Sequence, residues 1–484
     1  MPRKTPEGSY RYRAIAASIR EQIDAGHLRT GERLPSVRQL MRDHAASMAT
    51  IVRALMMLEA DACIRSAPRS GWFVTDRVAV QPATQWRTRS APAASPVAVN
   101  QLVLQMLSAA SDASIVSMGS TVVDRSLLPA KALNRALVSM ARRRPELALG
   151  AGGSPLGDLE LRTQIARLMA QREVLVRPDE IVITAGDGLS FEMILQLIAP
   201  KGSVVAVESP TYFGTLQALE NLGLEVMEIA TDAKRGIDLA ALSEALESHD
   251  IRAVIVTPTC QNPFGFTMGE DAKAALLELA EKHDLAIVED DIYGDLYQGD
   301  FRPSALKSRD RSDRVVYCSS FSRSLSPGWR IGWTIPGRWR EQFLQQKIVR
   351  GNSTSTLPQA VLAHYLAQRG YMGHLDRLRK TFAAQMPTVR ELIGRHFPSG
   401  TKVTEPRGGY IFWIELPADC DAVALSLQAI KVGISIAPGP IFSAGNRFSN
   451  CLRLSIGAPL SPRIEKAIGI LGRSACDMAE GEGE

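Results

Sequence analysis

The chain of 484 residues is too long for one ordinary domain and long enough for two or three. Its apolar share of 45% and charged share of 22% are typical of a globular protein. No run approaches the ~18 apolar residues of a membrane-spanning helix, and no apolar segment follows the basic N-terminus, so we expect neither a membrane partner nor a signal peptide. The six cysteines lack metal-ligand spacing, which predicts no metal site and a reducing, cytoplasmic location.

The charge of the chain is concentrated at one end. Residues 1–90 carry 15 Lys and Arg against 8 Asp and Glu, a net charge of +7. The remaining residues carry 41 against 43, a net charge of −2, so the whole chain has +5. A basic N-terminal part on a nearly neutral body indicates a polyanionic partner for that part.

The N-terminal part has the helix signals of a helix-turn-helix. After a first amphipathic helix, Ser36 is placed to cap a second helix that carries Arg38. Ser47 is placed to cap a third helix that carries Thr50 and Arg53. Two capped helices joined by a tight turn, the latter bearing Thr and Arg, favour a DNA-binding function. For any one of these side chains the alternative is an ordinary solvated surface residue.

A basic hairpin is predicted directly after the third helix. Cys63-Ile64 and the run 71–74, which begins at Gly71, have the composition of two short strands. The residues between them, 65–70, include Arg69 and would form a basic wing.

Composition also predicts the limits of the domains. Residues 1–75 form the N-terminal domain, and 76–100, which are rich in Pro, Ala, Ser and Thr, predict a flexible or semi-extended linker. Residues 101–473 form the body, with a large part at 101–354 and a bridging helix and small α+β part at 355–473. The acidic tail at 474–484 is predicted to be disordered.

The body alternates between apolar strands and amphipathic helices, which predicts an α/β domain with a mainly parallel sheet. The predicted strands are 181–185, 203–207, 225–229, 253–257, 285–289, 314–318 and 330–335. The predicted helices are 158–171, 188–199, 211–222, 238–248, 269–283 and 338–349, with further helix over 355–396. Ligands of such folds bind at the carboxyl ends of the strands.

One segment at such a strand end is especially informative. The apolar run from Val315 passes into Ser320 and Ser322, then Pro-Gly, then Arg330. Serine hydroxyls and a bidentate guanidinium are suited to binding an anion.

This segment resembles the active-site segment of fold-type I pyridoxal-phosphate enzymes, the aspartate aminotransferase family. The family pattern is Ser-x-Ser-Lys-x-Leu-x-Pro-Gly-x-Arg-x-Gly, and every fixed position is matched here except the lysine, which falls on Arg323. A guanidinium has a pKa above about 12 and does not condense with an aldehyde. The resemblance therefore implies a pyridoxal-phosphate site that binds the cofactor noncovalently, if at all, and that has no catalytic residue at its centre.

The resemblance also implies roles for residues at the other strand ends. Asp290 would face the pyridine nitrogen, Tyr293 and Asn262 would bind the ring hydroxyl, and Tyr212 would cover the ring. The residues implied at the phosphate are Gly186, Asp187, Gly188, Ser320, Ser322 and Arg330, and Arg453 would bind a substrate or effector carboxylate. Asp187 departs from the family, since a carboxylate repels a phosphate; the alternative is that it points away and caps the helix.

The N-terminal domain resembles the GntR-type winged helix over about 60 residues, through its Gly-Glu-Arg-Leu-Pro-Ser, Thr-Ile-x-Arg-Ala-Leu and Arg-Ser-Gly-x-Phe-Val runs. The DNA-contacting residues implied are Ser36, Arg38, Ser47, Thr50, Arg53, Arg69 and Gly71. A winged helix fused to an aminotransferase-like domain resembles the MocR subfamily of bacterial transcription regulators. That resemblance implies a homodimer, double-stranded DNA as a partner, and a B6 vitamer or amino acid as effector.

Three interpretations remain open from the sequence. The favoured one is a DNA-binding regulator whose aminotransferase-like domain is catalytically inactive because of Arg323. The second is a pyridoxal-phosphate-dependent aminotransferase with an accessory DNA-binding domain, which is disfavoured because that chemistry uses the lysine as anchor and proton carrier. The third is that a lysine stood at this position in the natural protein and was exchanged for Arg323.

Overall fold

The N-terminal domain of this computed structural model contains the three predicted helices. The structure describes residues 8–24, 27–29, 31–60, 63–67, 71–74, 81–82, 86–91, 93–110, 112, 114–150, 153–351, 353–368 and 370–481. The helices are α1 (Gly8–Asp24), α2 (Val37–Asp43) and α3 (Met48–Ala60). Their shared core contains Ile15, Ile19, Leu40, Leu55 and Leu58, each at most 5% exposed, which confirms the apolar helical spacing.

The hairpin after α3 is also present. Strands β1 (Ile64–Ala67) and β2 (Gly71–Val74) pair antiparallel, with Ile64 opposite Val74. Gly71 has a φ of +104°, and a Cβ at that position would lie 3.1 Å from the Arg33 Nε atom. Glycine is therefore required there both by backbone conformation and by space.

The remaining elements form the body and the segment that leads to it. The strands are β3 (Gln81–Pro82), β4 (Ser95–Pro96), β5 (Val116–Ser117), β6 (Val182–Thr184), β7 (Val204–Ser209), β8 (Glu225–Asp232), β9 (Gly236–Ile237), β10 (Ile251–Val256), β11 (Ala286–Asp290), β12 (Val315–Ser320), β13 (Gly332–Ile335), β14 (Lys402–Val403), β15 (Ile411–Glu415), β16 (Ile434–Ser435), β17 (Ala437–Pro438) and β18 (Cys451–Ser455). The helices are α4 (Asn100–Ala110), α5 (Ala130–Arg143), α6 (Leu159–Ala170), α7 (Asp187–Ile198), α8 (Phe213–Leu222), α9 (Leu239–Ser248), α10 (Glu270–Lys282), α11 (Arg340–Val349), α12 (Thr356–Ala367), α13 (Gly370–His396), α14 (Ala422–Lys431) and α15 (Pro462–Ala479).

The central sheet has the strand order β4-β8-β7-β10-β11-β12-β13-β6. The pairs from β8 to β12 are parallel, whereas β13 is antiparallel to both β12 and β6. The prediction of a mainly parallel sheet is therefore confirmed. Because β7, β10, β11 and β12 run in one direction, the residues that follow them meet at one edge of the sheet.

The predicted strands and helices of the large part are present, with bounds that shift by a few residues. One difference matters for the site: the strand predicted at 330–335 begins only at Gly332. Arg330 instead adopts the left-handed conformation, with φ of 52° and ψ of 49°. The chain therefore turns at Arg330 before it enters the sheet.

The small part contains a second sheet, of order β17-β18-β15-β14-β3, beside α13, α14 and α15. The prediction of a disordered tail from residue 474 is wrong, because α15 continues to Ala479. Ile468, Leu471 and Ala475 lie on its buried face, and this burial stabilises the helix through residues 474–479. None of the helices among the described residues has the length and apolar character needed to cross a bilayer.

Of the two forms predicted for the linker, the flexible one is wrong for its described residues, which are extended and bound to the body. Strand β4 pairs with β8, and β3 pairs with β14. The Trp86 ring packs against Phe264 at 5.5 Å and Trp413 at 6.4 Å between centroids. Thr88 donates its hydroxyl to the Ser209 carbonyl at 2.6 Å. Aromatic packing and these hydrogen bonds outweigh the extended, Pro-rich composition.

Candidate functional site

A cradle for an anion lies at the start of α7. Gly186 precedes the helix with φ of +91°, and a Cβ there would lie 2.5 Å from a guanidinium nitrogen of Arg330. Only glycine lets the arginine approach this helix end, where unpaired backbone N–H groups favour an anion. A Cβ on Gly332 would similarly meet the backbone nitrogen of Asp187 at 3.1 Å.

The predicted serines complete this cradle. Ser320 and Ser322 are buried, and Ser322 accepts a hydrogen bond of 3.4 Å from Arg330 Nη1. Gly188 lies exposed in the first turn of α7, with open space where a side chain would be. The structure therefore brings together the glycines, serines and arginine that were predicted to hold a phosphate.

Asp187 is the exception within the cradle. It is the first residue of α7, whose capping position is occupied by Gly186 without a side-chain hydrogen bond. The alternative that Asp187 caps the helix is therefore wrong. Its carboxylate instead acts on the site, because it raises the pKa of Asp290 in addition to the effect of burial.

Asp290 is the buried acid of the site. It ends β11, is 4% exposed, and accepts a hydrogen bond of 3.2 Å from the Ile292 N–H. Burial first, and then the charge of Asp187, raise its pKa well above the ordinary value. A cation placed beside this carboxyl group would restore its ionised form.

Three further predicted residues form a buried chain of hydrogen bonds. Arg453 Nη1 donates to Asn262 Oδ1 at 3.1 Å, and Asn262 Nδ2 donates to the Tyr293 hydroxyl at 3.5 Å. Arg453 is 0% exposed and its Nε finds no hydrogen-bond partner among the described residues. Burial lowers the pKa of Arg453 to about 10, so the guanidinium remains charged at neutral pH.

Arg323 lies in the middle of these groups. Its guanidinium carbon is 5.7 Å from the centre of the Tyr293 ring, and Nη1 donates to the Thr121 carbonyl at 2.9 Å. Tyr212 is half-buried nearby, and burial raises the pKa of its hydroxyl to about 12 although Arg323 opposes this shift. The predicted residues of the body thus converge around Arg323, with no amine at the position of the family's lysine.

Two buried residues escaped the sequence analysis and tie the site loops together. Glu208, 1% exposed, accepts a hydrogen bond of 3.2 Å from Gln261 Nε2, which also donates to the Pro210 carbonyl at 2.9 Å. These bonds join the segment before Tyr212 to the segment that holds Asn262. Glu208 could have been recognised in the sequence, because it is a charged residue within the apolar run that forms β7.

Glu208 should make stability depend on pH. Burial raises its pKa from 4.5 to about 8, against the opposing hydrogen bonds of Gln261 and the Thr257 N–H. Between these pH values the folded protein retains a proton that the unfolded chain has released, so the free energy of unfolding falls as pH rises. The slope expected from this proton is about 1 kcal/mol per pH unit, and Glu208→Gln should make the total slope shallower by that amount. Urea unfolding across this pH range measures the slope.

The matched control for that prediction is Glu225→Gln, which changes an exposed carboxylate. It should leave the pH dependence of unfolding as it is in the wild type. A slope in Glu208→Gln that is as steep as in the wild type would contradict the assignment of this proton to Glu208.

A second buried cluster lies behind the site and was also missed. Asp291 accepts hydrogen bonds of 2.6 Å from Arg302 Nη2 and from the Tyr317 hydroxyl, and Arg172 lies at 3.8 Å. Ser324, the neighbour of Arg323, contacts the Tyr371 hydroxyl at 3.0 Å, and Tyr371 donates to Asp295 at 3.2 Å. The segment that carries Arg323 is therefore anchored to this charged cluster.

The residues fit the pyridoxal phosphate of the family. The cradle at Gly186 and Arg330 has the donors for a phosphate, and Asp290 is a buried carboxyl group suited to a pyridinium. Arg323 does not fit the covalent attachment, because a guanidinium stays protonated and does not form an imine.

Five of the predicted DNA-contacting residues lie on α2 and α3 or cap these helices. Ser36 accepts a hydrogen bond of 3.2 Å from the Gln39 N–H, and Ser47 accepts one of 3.3 Å from the Thr50 N–H, which confirms both predicted caps. Arg38 is exposed, whereas Thr50 is half-buried.

Two arginines of the predicted interface have different outcomes. Arg53 is exposed, and its guanidinium carbon lies 4.8 Å from the centre of the Tyr12 ring, so it also braces α3 against α1. Arg69 lies outside the described residues. Gly71 is the first residue of β2.

Family models match both parts of the chain. Residues 146–469 match the model described as aminotransferase class I and II. Residues 11–74 match the model described as bacterial regulatory proteins, gntR family.

Relatives share this combination over nearly their whole length. The uncharacterized HTH-type transcriptional regulator YjiR of Escherichia coli strain K12 is 38% identical over 96% of this chain and 98% of its own. The uncharacterized HTH-type transcriptional regulator YdcR of the same strain is 36% identical over 96% of this chain and 98% of its own.

Solved structures resemble the body. The α-aminoadipate aminotransferase LysN of Thermus thermophilus, complexed with N-(5′-phosphopyridoxyl)-L-leucine, matches with a TM-score of 0.71 and 28% identity, over 78% of this chain and 95% of its own. The kynurenine aminotransferase of Pyrococcus horikoshii matches with a TM-score of 0.72 and 28% identity, over 79% and 95%. The chain therefore belongs to the GntR-type regulators that carry an aminotransferase class I and II domain, the MocR architecture.

Proposed function

We propose that this protein is a DNA-binding transcription regulator whose aminotransferase-like body binds a B6 vitamer or an amino acid derivative without converting it. The observation that carries this proposal is the guanidinium of Arg323, which lies against the Tyr293 ring where the family's amine would be. Anchoring and proton transfer in that family both depend on the amine. Its replacement supports a role in sensing small molecules.

In this proposal the body holds pyridoxal phosphate noncovalently. The residues assigned to the phosphate are Gly186, Asp187, Gly188, Ser320, Ser322 and Arg330. The residues assigned to the ring are Tyr212, Asn262, Asp290 and Tyr293. Arg453 is assigned to a carboxylate of the ligand. When bound, the cofactor supplies a pyridinium that withdraws electrons. Asp290 would ionise beside that cation, which offsets the effects of burial and of Asp187 on its pKa.

The N-terminal domain would bind double-stranded DNA. Ser36, Arg38, Ser47, Thr50 and Arg53 are assigned to the major groove, and Arg69 and Gly71 to the wing. We propose a cytoplasmic homodimer with two such domains on paired half-sites. The proposed division is 1–75 for this domain, 76–100 for the connecting segment and 101–473 for the body.

The direct test uses the full-length protein in two assays. It should select a sequence from random double-stranded DNA, and Arg38→Ala should weaken binding to the selected DNA by about tenfold or more, since a lost base or phosphate contact costs about 1–3 kcal/mol. Arg311→Ala, a change to an exposed arginine of the body, is the matched control and should leave the affinity unchanged.

The second assay supplies pyridoxal phosphate, amino acids and 2-oxo acids, and measures product. No turnover is expected. Steady product formation that is abolished by Asp290→Ala would instead favour an aminotransferase with an accessory DNA-binding domain.

A further inference from the structure

The guanidinium of Arg323 has hydrogen-bonding capacity that the protein leaves unused. Nη1 donates to the Thr121 carbonyl at 2.9 Å, but Nε is buried and has no hydrogen-bond partner in the part of the chain that the structure describes. An unpaired buried donor on a charged group costs free energy that a ligand acceptor would recover.

Two carboxylates, those of Asp187 and Asp290, act on Arg323 electrostatically, but neither lies within ion-pair distance of it. Its nearest aromatic neighbour is the neutral Tyr293 ring at 5.7 Å, and Nη1 binds a backbone carbonyl that carries no net charge. Within the described residues, Arg323 makes no ion pair with a carboxylate. A guanidinium in this situation binds an oxygen anion strongly and repels an ammonium group.

Arg453 presents a second donor of the same kind. It is 0% exposed, it is held by Asn262 and by the Gly119 carbonyl, and its Nε is likewise without a partner among the described residues. Asn262 links Arg453 to the Tyr293 hydroxyl, and Arg323 faces the ring of the same tyrosine. The ligand site therefore offers two cationic donors in addition to the phosphate cradle at Arg330.

We propose that Arg323 determines which B6 phosphate the site binds. It selects a compound with a carboxylate or carbonyl oxygen at the carbon that is an aldehyde in the family's cofactor. It rejects the compound that has an amine at that carbon. This inference rests on the proposed function, because it assumes that the body binds a B6-type ligand. The family's lysine attacks the aldehyde carbon as a nucleophile, whereas Arg323 would donate a hydrogen bond to the oxygen on that carbon.

The test compares three probes with one phosphate-bearing ring: pyridoxal phosphate, pyridoxamine phosphate and the 5′-phosphate of 4-pyridoxic acid. Their dissociation constants are measured by calorimetry on the full-length protein. The wild type should bind the acid and the aldehyde about 10- to 100-fold more tightly than the amine, since a hydrogen bond to a charged group is worth that factor. Arg323→Met, which keeps an unbranched side chain but removes the charge and the N–H donors, should lose the preference.

Controls separate the possible failures. Arg311→Met, on the exposed surface, should keep the wild-type order, and thermal unfolding of Arg323→Met and Arg323→Gln verifies that both variants are folded. Equal affinities for the three probes in the wild type, unchanged in either Arg323 variant, would overturn the specificity role and leave the proposed function standing. Failure of the wild type to bind any of the probes would overturn the B6 ligand of the proposed function, and the specificity role with it, whereas the DNA-binding assay would be unaffected.

Discussion

Replacing Asp291 with alanine is expected to lower the free energy of unfolding by about 3–5 kcal/mol, the cost of breaking a buried ion pair by removing one partner. The Asp291 side chain is 1% exposed and accepts hydrogen bonds from Arg302 and from Tyr317. Without it, two nearly buried guanidinium groups, of Arg172 and Arg302, would share only Asp295. Urea unfolding followed by tryptophan fluorescence measures the loss.

The matched control is Asp250→Ala. Asp250 also pairs with an arginine, Arg252, at 2.9 Å, but its side chain is 77% exposed. Water screens that pair, so the change should alter the free energy of unfolding by less than about 0.5 kcal/mol. Equal effects of the two substitutions would show that burial of the Asp291 cluster does not matter for stability.

Replacing Arg323 with lysine is expected to let the protein bind pyridoxal phosphate covalently. A lysine amine in this half-buried site loses its proton more readily than in water, because burial disfavours its charged form. The Asp290, Tyr293 and Asn262 side chains that would orient the ring are already in place. Absorbance of the imine, and mass spectrometry after borohydride reduction, should detect a bond at residue 323 in the variant alone.

The control for that gain of reactivity is Arg311→Lys, which adds an amine on the exposed surface. It should give no more adduct than the wild type. A borohydride-stable adduct on the wild-type site segment would contradict the noncovalent site, as would an Arg323→Lys variant that binds the cofactor but forms no imine.

The predicted site residues come together in the fold because they follow apolar strands in recognisable motifs. Asn262, Asp290 and Ser322 each come at or just after the end of such a strand, and parallel strands bring their ends together. Glu208 and Asp291 were missed because a single acidic residue in or beside an apolar strand has no periodic pattern. Their partners come from distant segments, which only the folded chain brings within hydrogen-bonding distance.

The errors at the linker and the tail have a common physical cause. Composition describes the local preference of a segment, but not the surface against which it packs. Trp86 packs against the rings of Phe264 and Trp413, and Ala475 packs into the core of the small part. These contacts come from residues far away in the chain. Tertiary burial therefore decided the structure of both segments.

The position of Trp86 has a mechanical consequence for the molecule. Phe264 follows the ligand-site residue Asn262, whereas Trp413 belongs to strand β15 of the small sheet. The indole of Trp86 therefore lies between a loop of the large part and a strand of the small part. Any rotation of one part against the other must displace it.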